Sequence, residues 1–552
     1  MASAEALDQR RFQSIVTALY AVGAITLVIL SVAAADGHLV YSLDDPYIHL
    51  ALAESIASGG HGVNAGEFAS PSSSVIFPLI MAVTTLAGLG DRGPLVVNLV
   101  ACGVAMWVLA GFVFRHAGGA VSPVRFWLLV LTAPLVMLAV NALGLPMMGM
   151  EHGLHVLVAI AVVAGLADMA ETGRTTPALL AAIVVCALIR FEGLALALAA
   201  IAALAAERHF REAAATLGAI VAALSVYALA MGAMGLPLLP SSVLVKSGAS
   251  AALVDGQGGA LVGQMRRSFT LALRDRMGMR LAAGGLIVIA GLIAKCWLPA
   301  GPSRRGAVVV GAVALAAIVA HLLLGQYQQS RYEVYAIAVM IMAVVYLAAP
   351  LLRRAGAPGI AALALLAGLV GLPYVSTVQR TPAASRNIYE QQYQMHRFAT
   401  QFFPAPVAVN DLGWVAYRND GYVLDLWGLG SEEVRTLTRR EGRTAETVGR
   451  LAAAHSIAYA MVYDEWFADA IPPHWCRVAT LHTSRVTAGS AEVAIYAVDP
   501  QRTAALLAAL AAFGPTLPAG ARLDLAPVAI AAPGEVAEGC ENGADALQSS
   551  PG

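Results

Sequence analysis

What most constrains this 552-residue chain is a succession of long apolar runs that no soluble core can absorb. They fall at 12–34, 94–114, 124–141, 154–170, 178–189, 193–206, 213–233, 282–298, 307–325, 334–350 and 359–374. A transmembrane helix needs roughly 20 predominantly apolar residues. Hydrophobic residues make up 59% of the chain and charged ones only 12%, with a mean hydropathy of +0.71. These values exclude a soluble globular domain and place the chain among polytopic membrane proteins. A net charge of −1 gives no basic footprint for nucleic acid.

Orientation follows from the distribution of arginine and lysine. A further apolar run, 75–89, is shorter than a span and is read as an interfacial helix. With the N-terminus inside, the inner loops hold Arg10, Arg11, Arg115, Arg125, Arg174, Arg208, Arg211, Lys295, Arg304, Arg305, Arg353 and Arg354. Counting 75–89 as a span would move Arg115 and Arg125 outside. The positive-inside rule therefore predicts about eleven spans, N-terminus in and C-terminus out. The first span shows no credible cleavage pattern and is expected to stay in place.

This topology puts the unusual polar residues on the outer side: Asp44, Asp45, His49, Glu67, Glu151, His152, Arg190, Glu192, Lys246, Arg331 and Glu333. Ionisable groups at membrane depth are costly and mark candidate sites. The stretch Tyr41-Ser-Leu-Asp-Asp-Pro-Tyr-Ile-His-Leu50 stands out. Asp45 suits a helix N-cap and Pro46 the first helical turn, while Gly59-Gly60 stops the helix. Ile48, Leu52 and Ile56 form one apolar stripe, expected to lie on the bilayer surface. Asp44 is then the spare carboxylate, the first choice for a reacting group. Arg190 and Glu192 can also simply pair where two short apolar segments turn. His155 and His321 are expected to be packed rather than ligating, and Tyr332 and Tyr335 can serve as interfacial anchors. In 247–280, Leu261, Met265, Phe269 and Leu273 recur at helical spacing among arginines, as in an interfacial amphipathic helix against membrane lipids.

Beyond 375 the texture changes to short apolar strands and amphipathic helices. Strands are expected at 407–411, 422–426, 458–463 and 493–497, and helices at 431–440 and 444–455. The predicted organisation is a membrane domain, 1–375, with interfacial helices at 46–58 and 75–89; an extracytoplasmic α/β domain, 376–510; and a disordered Ala/Pro/Gly-rich tail, 511–552. Trp414, Asp411, Trp427, Tyr389 and Tyr393 suit either sugar binding or packing. Cys102, Cys186 and Cys296 read as inert core thiols, and Cys476 can pair with Cys540 in an oxidising compartment.

Several stretches together resemble the integral-membrane glycosyltransferases of the GT-C fold, closest to the mycobacterial terminal β-(1→2) arabinofuranosyltransferase group. They are Leu43-Asp-Asp-Pro-Tyr-Ile-His with His61-Gly-Val-Asn-Ala-Gly-Glu67, Gly149-Met-Glu-His-Gly-Leu154, Ile189-Arg-Phe-Glu-Gly193, Gly235-Leu-Pro-Leu-Leu-Pro-Ser-Ser-Val-Leu-Val-Lys246, and Arg331-Tyr332. The family often has Arg-Pro-Glu where this chain has Arg190-Phe191-Glu192. The resemblance implies inverting transfer of a sugar from a polyprenyl-phosphate donor to a hydroxyl of a glycan, lipid or protein, on the periplasmic or exterior face of a bacterial plasma membrane.

Residue chemistry gives matching roles. A carboxylate takes the hydroxyl proton, Asp44 first, with Asp45 and Glu151 as further catalytic candidates. Lys246, Arg331 and Arg190 meet the departing phosphate. His49, Glu192, His152 and Tyr332 orient substrate. Asp44 and Asp45 can also bind a divalent cation, so the metal question stays open. The alternative is a transporter or flippase of a lipid-linked glycan, although transporters usually carry repeated halves with midplane sites.

Overall fold

A computed structural model describes residues 2–118, 122–241, 244, 258–297, 303–326, 330–467 and 469–526. It is mostly helical, with a small sheet domain at the C-terminal end. The helices in order are α1 (Ala2–Ala34), α2 (Asp45–Ala57), α3 (Phe77–Leu86), α4 (Gly93–Val113), α5 (Pro123–Ala139), α6 (Leu145–Met148), α7 (His152–Thr172) and α8 (Pro177–Ile189). They continue with α9 (Gly193–Ala206), α10 (Phe210–Ala233), α11 (Gly258–Ala272), α12 (Arg276–Trp297), α13 (Arg304–Leu324), α14 (Val334–Ala355) and α15 (Ala357–Glu390). Each apolar run singled out in the sequence is one of these helices. Among the described residues, eight helices are long and apolar enough to cross a membrane. The expected spans α5, α8 and α9 are shorter, at 17, 13 and 14 residues. At about 1.5 Å per residue, α8 and α9 reach only about 20 Å.

Local chemistry sets the boundaries. Thr176 caps α8 by accepting from Leu179 N, with Pro177 in the first turn, and Ser122 does the same for α5. α14 is buried on every side and packs against α7, α12 and α13, while α15 runs along α5 and α1. Leu79, Val83 and Leu86 of α3 are exposed, opposite buried Phe77 and Met81, as an apolar-surfaced helix requires. α11 likewise exposes Val262 and Phe269 beside Arg266 and Arg267.

α2 departs from its expected place on a bilayer surface. Pro46 through Ala53 are all buried, because α2 lies between α3 and the C-terminal domain. The boundary expected at 375 is also absent: α15 continues unbroken to Glu390 and carries the chain into the C-terminal domain.

That domain continues with α16 (Gln392–Arg397), β1 (Val407–Val409), α17 (Gly413–Ala416), β2 (Val423–Asp425), α18 (Glu432–Glu441), α19 (Ala445–Ala454) and β3 (Tyr459–Val462). It closes with α20 (Asp464–Phe467), β4 (Cys476–His482), β5 (Glu492–Ala497), α21 (Thr503–Phe513) and β6 (Arg522–Leu525). The sheet order is β2-β1-β3-β5-β4-β6. β2, β1 and β3 are parallel, and the remaining pairs are antiparallel. β4 and β6 were not anticipated. β6 also corrects the expectation of a disordered tail from 511, since it pairs with β4 through Thr480 and Asp524. Cys476 on β4 is disulfide-bonded, and Cys540 lies outside the described residues.

Candidate active site

The parallel half of the sheet brings Asn410 and Asp411 to the C-terminal end of β1, just ahead of α17. In open α/β sheets this edge is where ligands settle. Here it receives a carboxylate from the membrane domain. Asp44, only 7% exposed, accepts from Gly413 N at 2.7 Å and Trp414 N at 2.8 Å. Its carboxyl also hydrogen-bonds Asp411. Asp411 Oδ2 in turn accepts from Gln392 Nε2 at 2.7 Å and Tyr463 OH at 2.9 Å. Burial pushes both carboxyls above the ordinary aspartate value. The Asp411 charge adds to the rise at Asp44, and the Asp45 charge adds to the rise at Asp411. Gly413 is required by the close approach: a Cβ there would collide with the backbone and carboxylate of Asp44.

The two aspartates therefore stand in the reverse of their expected local positions. Asp44 sits at the N-cap of α2 without a side-chain capping bond, and Asp45 is the first helical residue. Asp45 Oδ2 lies 2.6 Å from Nη2 of Arg331, which is nearly buried. Asp45 itself is about a quarter exposed, at 26%. Among the described residues, no group of three or more His, Cys, Asp or Glu is placed to hold a metal ion.

A second cluster forms where the N-terminal ends of α7 and α9 meet the C-terminal end of α8. Arg190, between the short helices α8 and α9, pairs with Glu192, with Nη2–Oε1 at 2.7 Å and Nε–Oε2 at 3.2 Å. That pairing was anticipated, but Arg190 also makes a close ion pair with Glu151 Oε1. Ser73 Oγ donates to the same Glu151 oxygen at 3.0 Å, and His49 Nε2 lies 3.8 Å from Oε2. Burial alone would raise both carboxyls. The Arg190 charge wins, holding Glu151 below the usual carboxylate range and Glu192 down to about 2. Gly149 ahead of Glu151 has φ +66°, and a Cβ there would meet Tyr41 and Pro46, so this turn packs directly under α2.

Tyr332 joins the clusters. The guanidinium groups of Arg190 and Arg331 each lie 5.0 Å from its ring centroid, and the His152 ring meets it edge-on at 5.2 Å. Among the described residues, Arg331 Nε and Nη1 and both His152 ring nitrogens are buried without a hydrogen-bond partner. Buried polar groups of this kind are normally paired.

Asp45, Glu151, Arg190, Glu192, His49, His152, Arg331 and Tyr332 thus converge, while Asp44 anchors the C-terminal domain beside them. Lys246 lies outside the described residues. Glu67 is used elsewhere, accepting from Tyr422 OH at 2.8 Å, and Glu333 accepts from Tyr374 OH at 2.8 Å. His155 stacks on Tyr335 at 4.2 Å, in keeping with its expected packing role. Trp427 packs against Trp466 and under Arg443, away from these clusters. Ser73 and the Asp44–Asp411 contact were not foreseen.

Residues 386–496 match the model of a domain of unknown function, DUF8728, which spans the end of α15 through β5. Among curated proteins, none matches. The chain is similar to the crystal structure of the Archaeoglobus fulgidus oligosaccharyltransferase in its apo form, at a TM-score of 0.45 and 12% identity. That likeness covers 88% of this chain and 74% of the archaeal one.

Proposed function

We propose that this protein is a GT-C-type membrane glycosyltransferase, which takes a sugar from a polyprenyl-phosphate donor and transfers it to a hydroxyl of a glycan, lipid or protein acceptor. The observation that carries the reading is the pairing of a partly exposed carboxylate, Asp45, with a buried guanidinium, Arg331, that still has two unpaired donors. A buried guanidinium with unpaired N–H donors suits an incoming phosphate. A carboxylate held within reach suits proton removal from the attacking hydroxyl.

In this reading the acceptor oxygen attacks the anomeric carbon as its proton passes to Asp45. The bond from that carbon to the phosphate oxygen breaks with its electron pair, the phosphate leaves against Arg331, and the anomeric configuration inverts. Arg190 is neutralised by Glu151 and Glu192, so it orients those carboxylates and packs Tyr332 rather than offering a free charge. Asp44, whose oxygens are occupied, positions Asp45 and the domain. Glu151, His49, His152 and Glu192 orient substrate, and Lys246 is a further phosphate ligand. The short helices α8 and α9, about 20 Å long against a hydrocarbon core of roughly 30 Å, set Arg190 below the level where a full span would end. A donor phosphate at headgroup depth meets such a site. The setting is a bacterial plasma membrane with about eleven spans, the site and C-terminal domain facing the periplasm or exterior.

Purified protein supplied with a synthetic polyprenyl-phosphate sugar or a nucleotide sugar, with one common acceptor, tests this directly. Product from the lipid donor alone is expected. Product from the nucleotide sugar alone, or movement of a lipid-linked glycan across vesicles without any new glycosidic bond, would overturn it.

A further inference from the structure

A cavity of about 240 Å³ opens at the seam between the membrane domain and the C-terminal domain. Its walls include His38 and Asp91 from the outer loops, Tyr393 and His396 from α16, and Trp414 and Arg418 from α17 and the turn after it. Aromatic rings make its surface continuous. Tyr393 stacks on Tyr389 at 5.3 Å and meets Trp414 edge-on at 4.9 Å, and His38 stacks on Tyr389 at 5.0 Å. Trp414 is held from behind by Tyr47 of α2, stacked at 3.9 Å.

Two polar atoms on residues that line this space have no hydrogen-bond partner among the described residues. Trp414 is only 7% exposed, yet its indole Nε1–H is buried without a partner among the described residues, as is Nδ1 of His396. A buried indole N–H normally finds an acceptor. The charges present argue against an anion: Arg418 is already engaged by Glu54 Oε1 at 3.0 Å, and the Asp91 carboxylate shares the wall.

We propose that this cavity binds one neutral sugar ring of the acceptor glycan. A sugar ring has an apolar C–H face for the aromatic side chains. Its rim of hydroxyls can accept from Trp414 Nε1–H and donate to Asp91 and His396. The volume lies below the roughly 300–1,000 Å³ of drug-sized pockets, which suits a single ring. The cavity is tied to the reacting groups through one residue, since Trp414 lines it with its ring and donates its backbone N–H to Asp44, the neighbour of Asp45. The inference rests on the transferase reading, because it makes the bound ring part of the acceptor.

The test is saturation-transfer difference NMR on the purified full chain without donor. The probes are the methyl glycosides of an arabinofuranosyl and a mannopyranosyl disaccharide, with inorganic phosphate as competitor. At least one disaccharide is expected to bind, unaffected by phosphate. Trp414→Phe keeps the ring stack but removes the indole donor, and His38→Ala removes an exposed stacking face without touching the core. Each should weaken binding by roughly five- to ten-fold, the scale of one hydrogen bond or ring contact, with the cooperative unfolding transition retained. In transfer assays the same variants should raise the acceptor KM more than they lower kcat. Absence of disaccharide binding, displacement by phosphate, or unchanged affinity in both variants would overturn the subsite. Transfer with wild-type acceptor KM in both variants would remove the subsite and leave the transferase reading standing. Disaccharide binding sensitive to both variants, with no transfer from any donor, would keep a sugar site and remove the transferase reading instead.

Discussion

Arg331 holds Asp45 at 2.6 Å from inside the bundle, while Asp44, one residue earlier, turns the other way and closes on the amides of Gly413 and Trp414. Adjacent carboxylates are thus split between the cationic cluster and the C-terminal domain. Asp45 faces the cationic cluster and remains partly accessible; each Asp44 oxygen accepts a backbone amide, and the side chain is buried. Asp45→Asn is therefore expected to lower turnover by ~10²–10⁴, the usual loss when an acid–base group is removed, with little change in thermal midpoint. Asp44→Asn presents an amide where two backbone N–H groups need acceptors, and should cost about 1–3 kcal/mol of stability. Steady-state kinetics beside thermal denaturation separates the two. A catalytically dead Asp44→Asn with intact stability, together with an active Asp45→Asn, would reverse the assignment.

The Asp44–Asp411 contact makes domain docking depend on pH. Both carboxyls are raised, chiefly by burial, so the folded protein binds protons more tightly than the unfolded chain does. Their contribution to stability is fully present below the ordinary aspartate pKa of about 3.9. It is lost as pH rises through the higher folded-state values. Hydrogen exchange at the Gly413 and Trp414 amides, corrected for base catalysis, should show less protection as pH rises. Asp411→Asn removes the partner charge and should flatten that dependence. Protection that grows with pH would contradict the raised carboxyls at this contact.

The helical order was legible because apolar runs of membrane length leave a chain few alternatives, and every such run became a helix. The roles of Asp44 and Asp45 were not legible. Capping rules judge a carboxylate by residues three or four positions away, whereas Gly413 stands 369 positions from Asp44. The burial of α2 failed for the same reason: its apparent lipid-facing stripe is covered by a domain that the local pattern cannot see. β6 carries Arg522 and Asp524 on a largely exposed edge, so it lacks the apolar alternation that marks a buried strand. α15 runs unbroken past the change of composition near 375, with Pro373 and Pro382 inside it, so composition marks a boundary that the backbone does not make. The Arg190–Glu192 pairing was readable from their i, i+2 proximity at a turn. The capture of Glu151 by the same arginine required α7 and α8 to pack.

Orientation can be measured independently of activity. Arg174, after α7, and Asp420, after α17, are both exposed positions and belong to opposite sides in the proposed topology. Single cysteines placed there, in a background without reactive native thiols, would be treated with an impermeant thiol reagent on intact cells. Labelling at Asp420 and protection at Arg174 are expected. The opposite pattern would put the site on the cytoplasmic side, where a soluble nucleotide sugar could reach it, and would remove the main reason for a lipid-linked donor.

Arg331 offers the most direct reading of the donor. Its Nη2 is committed to Asp45, with Tyr332 OH at 3.3 Å, while Nε and Nη1 are buried and unpaired among the described residues. If these donors receive the donor phosphate, the charge acts both in the bound complex and as the leaving group departs. Arg331→Met, which keeps much of the apolar stem, should then raise the donor KM and lower kcat together. Arg331→Lys keeps the charge but replaces the two fixed donors Nε and Nη1 with one compact ammonium. It should recover part of the kcat while leaving the donor KM high. A purely structural role, limited to holding Asp45, predicts something different: either variant would depress kcat at unchanged donor KM. Donor titrations of the wild type and both variants at saturating acceptor distinguish these outcomes, and an unchanged donor KM in Arg331→Met would take the phosphate away from this guanidinium.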